Sequence, residues 1–231
     1  MAFAVARFDD LEAVPVVNDS GILLGRITVD DILDFIRDEA DEDYRMAAGL
    51  SQIVEADDTV WELTRARLPW LVLGLVGSLG AVNIMKGFEG ALSVHPELFF
   101  FTPLVAAVAG NVGVQSSAII VQGLANDNVT GSMWLRLLKE ISIGLINGLA
   151  LGILVVSFGV IFGFGWLLSS TVAVAMLSVI IVAALVGTFV PILLDWRGID
   201  PAIATGPFIT TSNDIFGILI YFSLAKLILG F

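Results

Sequence analysis

The chain contains no cysteine and a single histidine among its 231 residues. Disulfides and thiolate metal sites are thereby excluded. Basic residues are scarce: 11 Lys and Arg stand against 23 Asp and Glu, for a formal net charge of -12. A nucleic-acid partner would need a basic surface, which this composition does not supply. No Walker-type glycine loop occurs, so ATP-driven pumping within the chain is not expected. The apolar segments contain neither a Ser-His-Asp set nor a His-Glu-x-x-His pattern, and the chain does not read as an enzyme. Residues 1–10 lack a basic start followed by a long apolar stretch, so no cleaved signal peptide is visible.

What is abundant is apolar surface. Hydrophobic residues make up 57% of the chain, and the mean hydropathy is +0.94. That exceeds ordinary soluble usage and predicts a polytopic α-helical membrane protein. Most acids lie before residue 65, and the remainder is nearly neutral. Five membrane helices are expected, at about 68–86, 98–124, 134–165, 170–194 and 204–229. The third is long enough to tilt or project from the bilayer. An odd number of crossings puts the two termini on opposite sides. Arg65, Arg67, Arg136, Lys139 and Arg197 fall on the side of the N-terminal segment, and only Lys86 and Lys226 lie near the other. The positive-inside rule then predicts a cytoplasmic N-terminus and an outer C-terminus in an inner or plasma membrane.

The polar N-terminal part reads as α/β. Ala13–Val17 and Leu23–Ile27 are short apolar strands around a turn at Asn18-Asp19-Ser20-Gly21. Thr28 is a plausible helix cap, with Asp31 three residues on. The helix that follows is acidic, and Asp30, Asp34 and Asp38 share one face at four-residue spacing. That face is either solvated or, with Asp31, a set of oxygen ligands suited to Mg²⁺ or Ca²⁺. Gly49 is expected to end the helix, and Asp58 or Thr59 to start another through Trp61, Leu63 and Leu68 at the membrane surface. Trp61, Arg65, Arg67 and Trp70 resemble an interfacial anchor.

Chemistry concentrates on two membrane segments. Asp214 lies about ten residues into the last one, roughly 15 Å deep at ~1.5 Å per residue, near the middle of a ~30 Å hydrocarbon core. An acid at that depth is costly and marks an ion or proton site unless it is a protonated, hydrogen-bonded packing residue. Thr210 lies one turn before it, with Gly217 and Tyr221 continuing that face, and Pro207 is expected to loosen the first turn. On the second segment, Asn111, Gln115 and Gln122 form one polar stripe. It reads either as pore lining or as interhelical hydrogen bonding. Gly110 and Gly113 beside it permit close backbone approach or local unwinding. Gly144, Gly148 and Gly152 on the third segment form a close-packing face. A carboxylate with hydroxyl and amide acceptors suits an ion that gives up its water reluctantly, as Mg²⁺ does. Across a two-fold axis, two copies of Asp214 would double the charge.

Gly110-Asn111-Val112-Gly113-Val114-Gln115-Ser116 resembles the signature of the MgtE family of magnesium channels. So does the run Asp200-Pro201-Ala202 through Gly206-Pro207, Thr211, Asp214, Gly217 and Tyr221. Gly87-Phe88-Glu89 and the Arg65/Arg67 pair fit as well. The resemblance implies a homodimer of five-helix membrane domains around a central pore. It implies that Asp214 recognises hydrated Mg²⁺, that Asn111 lies close to the pore, and that Co²⁺ or Mn²⁺ are candidate substitutes. Residues 1–45 resemble the C-terminal half of a CBS domain, 46–67 a connecting plug-like helix, and 68–231 the pore domain. Asp30, Asp31, Asp34 and Asp38 then match the family's regulatory acidic helix, with Asp200 a further metal candidate. An N-terminal helical domain, a first CBS domain and half of the second are not represented. The expectation is a fragment or a short relative, with a permeable but weakly gated pore. A proton- or sodium-coupled carrier acting through Asp214, or a non-transporting sensor subunit, are the competing readings.

Overall fold

Two antiparallel strands, β1 (Ala13–Val17) and β2 (Leu23–Thr28), begin the part of the chain described by a computed structural model, which covers residues 12–126, 128–129 and 131–230. The reading of residues 1–10 lies outside it. The turn forms as its sequence dictates: the Asn18 side-chain oxygen accepts the N–H groups of Ser20 (3.0 Å) and Ile22 (2.8 Å), and Gly21 adopts φ +78°. β2 pairs Thr28 with Ala13 and hands directly to α1 (Val29–Ala47). Thr28 and Asp31 close a reciprocal cap. The Asp31 carboxylate accepts the Thr28 N–H and hydroxyl, both at 2.7 Å, and the Asp31 N–H reaches the Thr28 hydroxyl oxygen at 3.4 Å. No residue of α1 is buried, and Leu33, Phe35 and Ile36 stand exposed. A two-stranded sheet of this size offers no core of its own.

Those hydrogen bonds, the backbone one foremost and helped by the charge of Arg26, hold the Asp31 carboxyl below its ordinary value of 3.8. A carboxylate whose folded pKa is depressed stabilises the fold above its unfolded value and loses that contribution as pH falls through the folded one. The cap should therefore persist at neutral pH and fail only below about pH 4. Helical circular dichroism should be flat from pH 7 to 5 and fall only below about pH 4. Asp31→Ala should remove this acid-dependent part of the signal.

Met1–Arg45 forms one compact unit and Met46–Phe231 a second. The second contains α2 (Val60–Gly87), a short α3 (Glu89–Val94), α4 (Glu97–Ala125), α5 (Met133–Ile161) and α6 (Trp166–Asp195). A 3₁₀ turn at Pro201–Ala204 follows, and then α7 (Pro207–Leu229). Among the described residues, five helical segments are long and apolar enough to cross a membrane. Thr59 caps α2 as expected, in a capping box with Glu62. The surface helix and first membrane helix predicted separately are one continuous helix, in which Pro69 and the glycines at 74, 77 and 80 are all tolerated. The third membrane helix stops at Ile161 rather than near 165, since Gly163 and Gly165 take φ +83° and +80°. The last is divided by Gly206 at φ +57°. Pro207 sits at the start of α7, where its missing N–H would be unpaired anyway, so it loosens nothing.

α6 is the centre of the second unit, packing against α4, α5 and α7. The glycine face of α5 meets it directly: a Cβ at Gly144 would lie 3.2 Å from the Ile181 Cα, and one at Gly148 3.2 Å from the Leu177 Cα. Val105, Ala109, Val179 and Ile180 join Tyr221 and Phe222 in the core. The buried Tyr221 hydroxyl donates to the Leu98 carbonyl at 2.9 Å and ties α7 to the start of α4. Tyr221→Phe should lower stability by about 1 kcal/mol, measured as a thermal midpoint in detergent. α2 is peripheral: it packs on α7, and only 6% of its most apolar stretch is buried, against 44% for α6.

Candidate functional site

The contact of α4 with α7 is made by bare backbone. A Cβ at Gly110 would lie 3.2 Å from the Thr210 Cγ2 and 3.9 Å from an oxygen of Asp214. Three residues on, Gly113 faces Ile209 and the Asn213 amide. Neither glycine unwinds its helix, which runs unbroken from Glu97 to Ala125. Of the two uses the sequence allowed, close approach is the one found.

Asp214 is half-buried against Gly110 and has no hydrogen bond or ion pair with any described residue. A carboxylate in an apolar helix that meets neither a donor nor a cation retains its full appetite for an external positive charge. One turn earlier, the Thr210 hydroxyl donates to the Gly206 carbonyl at 3.0 Å, and the Thr210 N–H reaches the same oxygen at 3.1 Å. That carbonyl is therefore engaged, while the hydroxyl oxygen keeps its acceptor capacity. On its other side α7 meets α2: Thr211 packs against Gly77, and Ile215 against Gly80. A cavity of about 680 Å³ opens nearby, lined among others by Gly49, Arg67, Trp70, Gly74, Pro207 and Thr210.

Asn111 follows Gly110 and is exposed, as are Gln115 and Gln122, so the polar stripe of α4 lies open in the single chain. Asp200 is remote from this group in role. Its carboxylate accepts the Ala202 N–H at 2.8 Å and caps the 3₁₀ turn. Asp30, Asp34 and Asp38 are exposed on α1, and Asp31 is engaged by Thr28. Among the described residues, no three His, Asp or Glu side chains converge on one point. The structure thus brings together Gly110, Thr210 and Asp214, sets Asn111 on the adjoining face, and keeps the other acids apart.

Among the buried polar residues that escaped the sequence reading, two make contacts far along the chain. Glu140, 8% exposed, lies inside the third apolar segment and accepts the Ser116 hydroxyl at 3.2 Å. Its signal was present, since an acid eight residues into a membrane helix is rare. Ser117 is fully buried and its hydroxyl donates to the Ala204 carbonyl at 3.1 Å, fastening α4 to the 3₁₀ turn before α7. No local pattern announces that contact.

The MgtE family model, described as a divalent cation transporter, matches residues 102–224, which hold α4 to α7 almost entirely. A protein named magnesium transporter MgtE from Bacillus subtilis (strain 168) is 37% identical over 97% of this chain and 50% of its own length. Proteins of the same name are similar in Enterococcus faecalis (37% identical, 96% of this chain, 49% of theirs) and Thermus thermophilus (36%, 95% and 49%). The chain spans about half the length of the curated relatives it matches. With five apolar helices and a family match over more than half its residues, it is a multi-pass membrane protein and belongs to the MgtE family of divalent cation transporters.

Proposed function

We propose that this chain forms a homodimeric pathway for Mg²⁺ across a cell membrane, entered down the electrochemical gradient. The observation that carries it is Asp214, a carboxylate within α7 that has no counter-charge among the described residues and lies over the backbone of Gly110. The names of the relatives support the choice of ion. Mg²⁺ is bound with most of its water in place. In this reading Asp214 attracts the charge, while Thr210 and Asn111 hydrogen-bond to the ion's water shell. No bond is made or broken.

The dimer rests on a cost argument. Asn111, Gln115 and Gln122 are exposed in one chain, and three amides facing lipid would be unfavourable. A two-fold partner set against α4 and α7 would cover the stripe and place two copies of Asp214 about one aqueous path. The N-terminus is assigned to the cytoplasm and the C-terminus to the outside by the basic residues near α2, α5 and α6. Residues 1–45 are assigned as a partial CBS segment, 46–67 as a connecting region and 68–231 as the pore domain. The exposed Asp30, Asp34 and Asp38, with Asp31, are assigned to sensing of cytosolic Mg²⁺, Asp200 is kept as a further metal candidate, and Co²⁺ or Mn²⁺ are assigned as competing ions.

Influx into proteoliposomes loaded with a Mg²⁺ indicator tests this. A divalent ion gains about 4.6 kcal/mol from an inside-negative potential of 100 mV, so uptake should rise steeply with that potential and ignore an imposed pH or Na⁺ gradient. Uptake that follows the pH or Na⁺ gradient instead would establish a coupled carrier. Its absence from folded, reconstituted protein would leave the sensor reading.

A further inference from the structure

Many hydroxyl and amide side chains in these helices share a habit. Those of Thr64, Asn83, Thr102, Ser142, Ser157 and Ser178 all donate to the carbonyl four residues back, at 2.6–3.3 Å. The bond is always within reach in a helix and removes the need for any other partner. Ser116 and Ser117 reach acceptors on other elements instead, while two further buried residues find none. Thr188 on α6 and Asn213 on α7 are both 0% exposed. The Thr188 hydroxyl and both ends of the Asn213 amide find no hydrogen-bond partner among the described residues. Each has turned away from a local acceptor into the interior, at a position where an unpaired group is costly.

Gly113 links the two. On one side its Cα faces the Asn213 amide; on the other its carbonyl lies against Gly187, the residue before Thr188. α6 meets that glycine backbone to backbone, and α7 meets it through the Asn213 and Ile209 side chains. We propose that Asn213 and Thr188 form a buried binding site for a water molecule at this junction. The amide supplies a donor and an acceptor and the hydroxyl one of each, which meets the two to four partners an internal water needs. The bridge ties α6, which carries none of the proposed path residues, to α4 and α7, which carry them all. Asn213 precedes Asp214, so the same water fixes the rotation of α7 that aims the carboxylate. No part of this depends on which ion is transported.

The sign of a stability change tests it. Removing a buried polar group that has a partner destabilises, whereas replacing one that has none with an apolar isostere stabilises. Asn213→Leu and Thr188→Val should each lower the thermal midpoint of the purified full chain by roughly 2–4 °C. The double variant should lose less than the sum, because both side chains hold one water. Thr188→Ser, which keeps the hydroxyl, should stay nearer wild type than Thr188→Val. A rise in the midpoint of either single variant, additive losses, or Ser behaving as Val would each overturn the site. Should Asn213→Leu give no folded protein, Thr188→Val against Thr188→Ser decides alone. An intact site in a chain with no Mg²⁺ flux would sink the transport reading and leave this one standing.

Discussion

Asp214→Asn should lower Mg²⁺ influx into proteoliposomes by more than about tenfold. At roughly 5 Å and an effective dielectric of about 20, a single carboxylate attracts a divalent ion by about 7 kcal/mol. One fifth of that, about 1.4 kcal/mol, is already a factor of ten. Asparagine keeps the size and an acceptor oxygen but removes the charge, so it separates electrostatic attraction from hydration. Asp214→Glu, which restores the charge on a longer arm, should recover part of the flux. The substitution should leave folding intact, because no described residue hydrogen-bonds to the carboxylate. Undiminished influx in the asparagine variant, with wild-type yield and monodispersity, would take Asp214 out of the mechanism.

A large stability effect is expected at Gly187. A Cβ there would meet the carbonyl oxygen of Gly113, with the carbonyl carbon at 3.1 Å. The obstacle is backbone, which cannot rotate away as a side chain can. Overpacking of this kind typically costs about 1–3 kcal/mol, and Gly187→Ala should fall at the upper end. Gly152→Ala makes the contrast. Its Cβ would lie 3.6 Å from the Ala173 Cβ, an ordinary contact. Alanine also restricts the unfolded chain, for a gain of about 0.5–1 kcal/mol in a helix interior. Detergent melting curves should therefore move in opposite directions for the two variants. A stable Gly187→Ala protein would mean that α4 and α6 can separate at this junction.

The five apolar segments were legible because a bilayer-length hydrophobic run has few other meanings. Their ends were less so. Gly163 and Gly165 stop α5 early through left-handed backbone that hydropathy does not register, and Pro207 opens α7 where it was expected to weaken it. Asp214 and Thr210 stood out as polar residues on one helical face, and the structure does set both against Gly110. What periodicity could not supply was the partner across the gap. The Ser116–Glu140 and Ser117–Ala204 contacts join residues 24 and 87 positions apart. Thr28 and Asp31 show the opposite case: a cap written within four residues was readable and was found.

Asp214 rests on a floor of main chain. Side chains that crowd a carboxylate hold it in one pose and lengthen the stay of whatever it binds. Over Gly110 there is nothing to rearrange when an ion arrives or leaves. A conducting site must bind well enough to admit its ion and weakly enough to release it. In the proposed pathway, the glycine under Asp214 would favour throughput over storage, with short dwell times for each ion at the point where the charge is strongest.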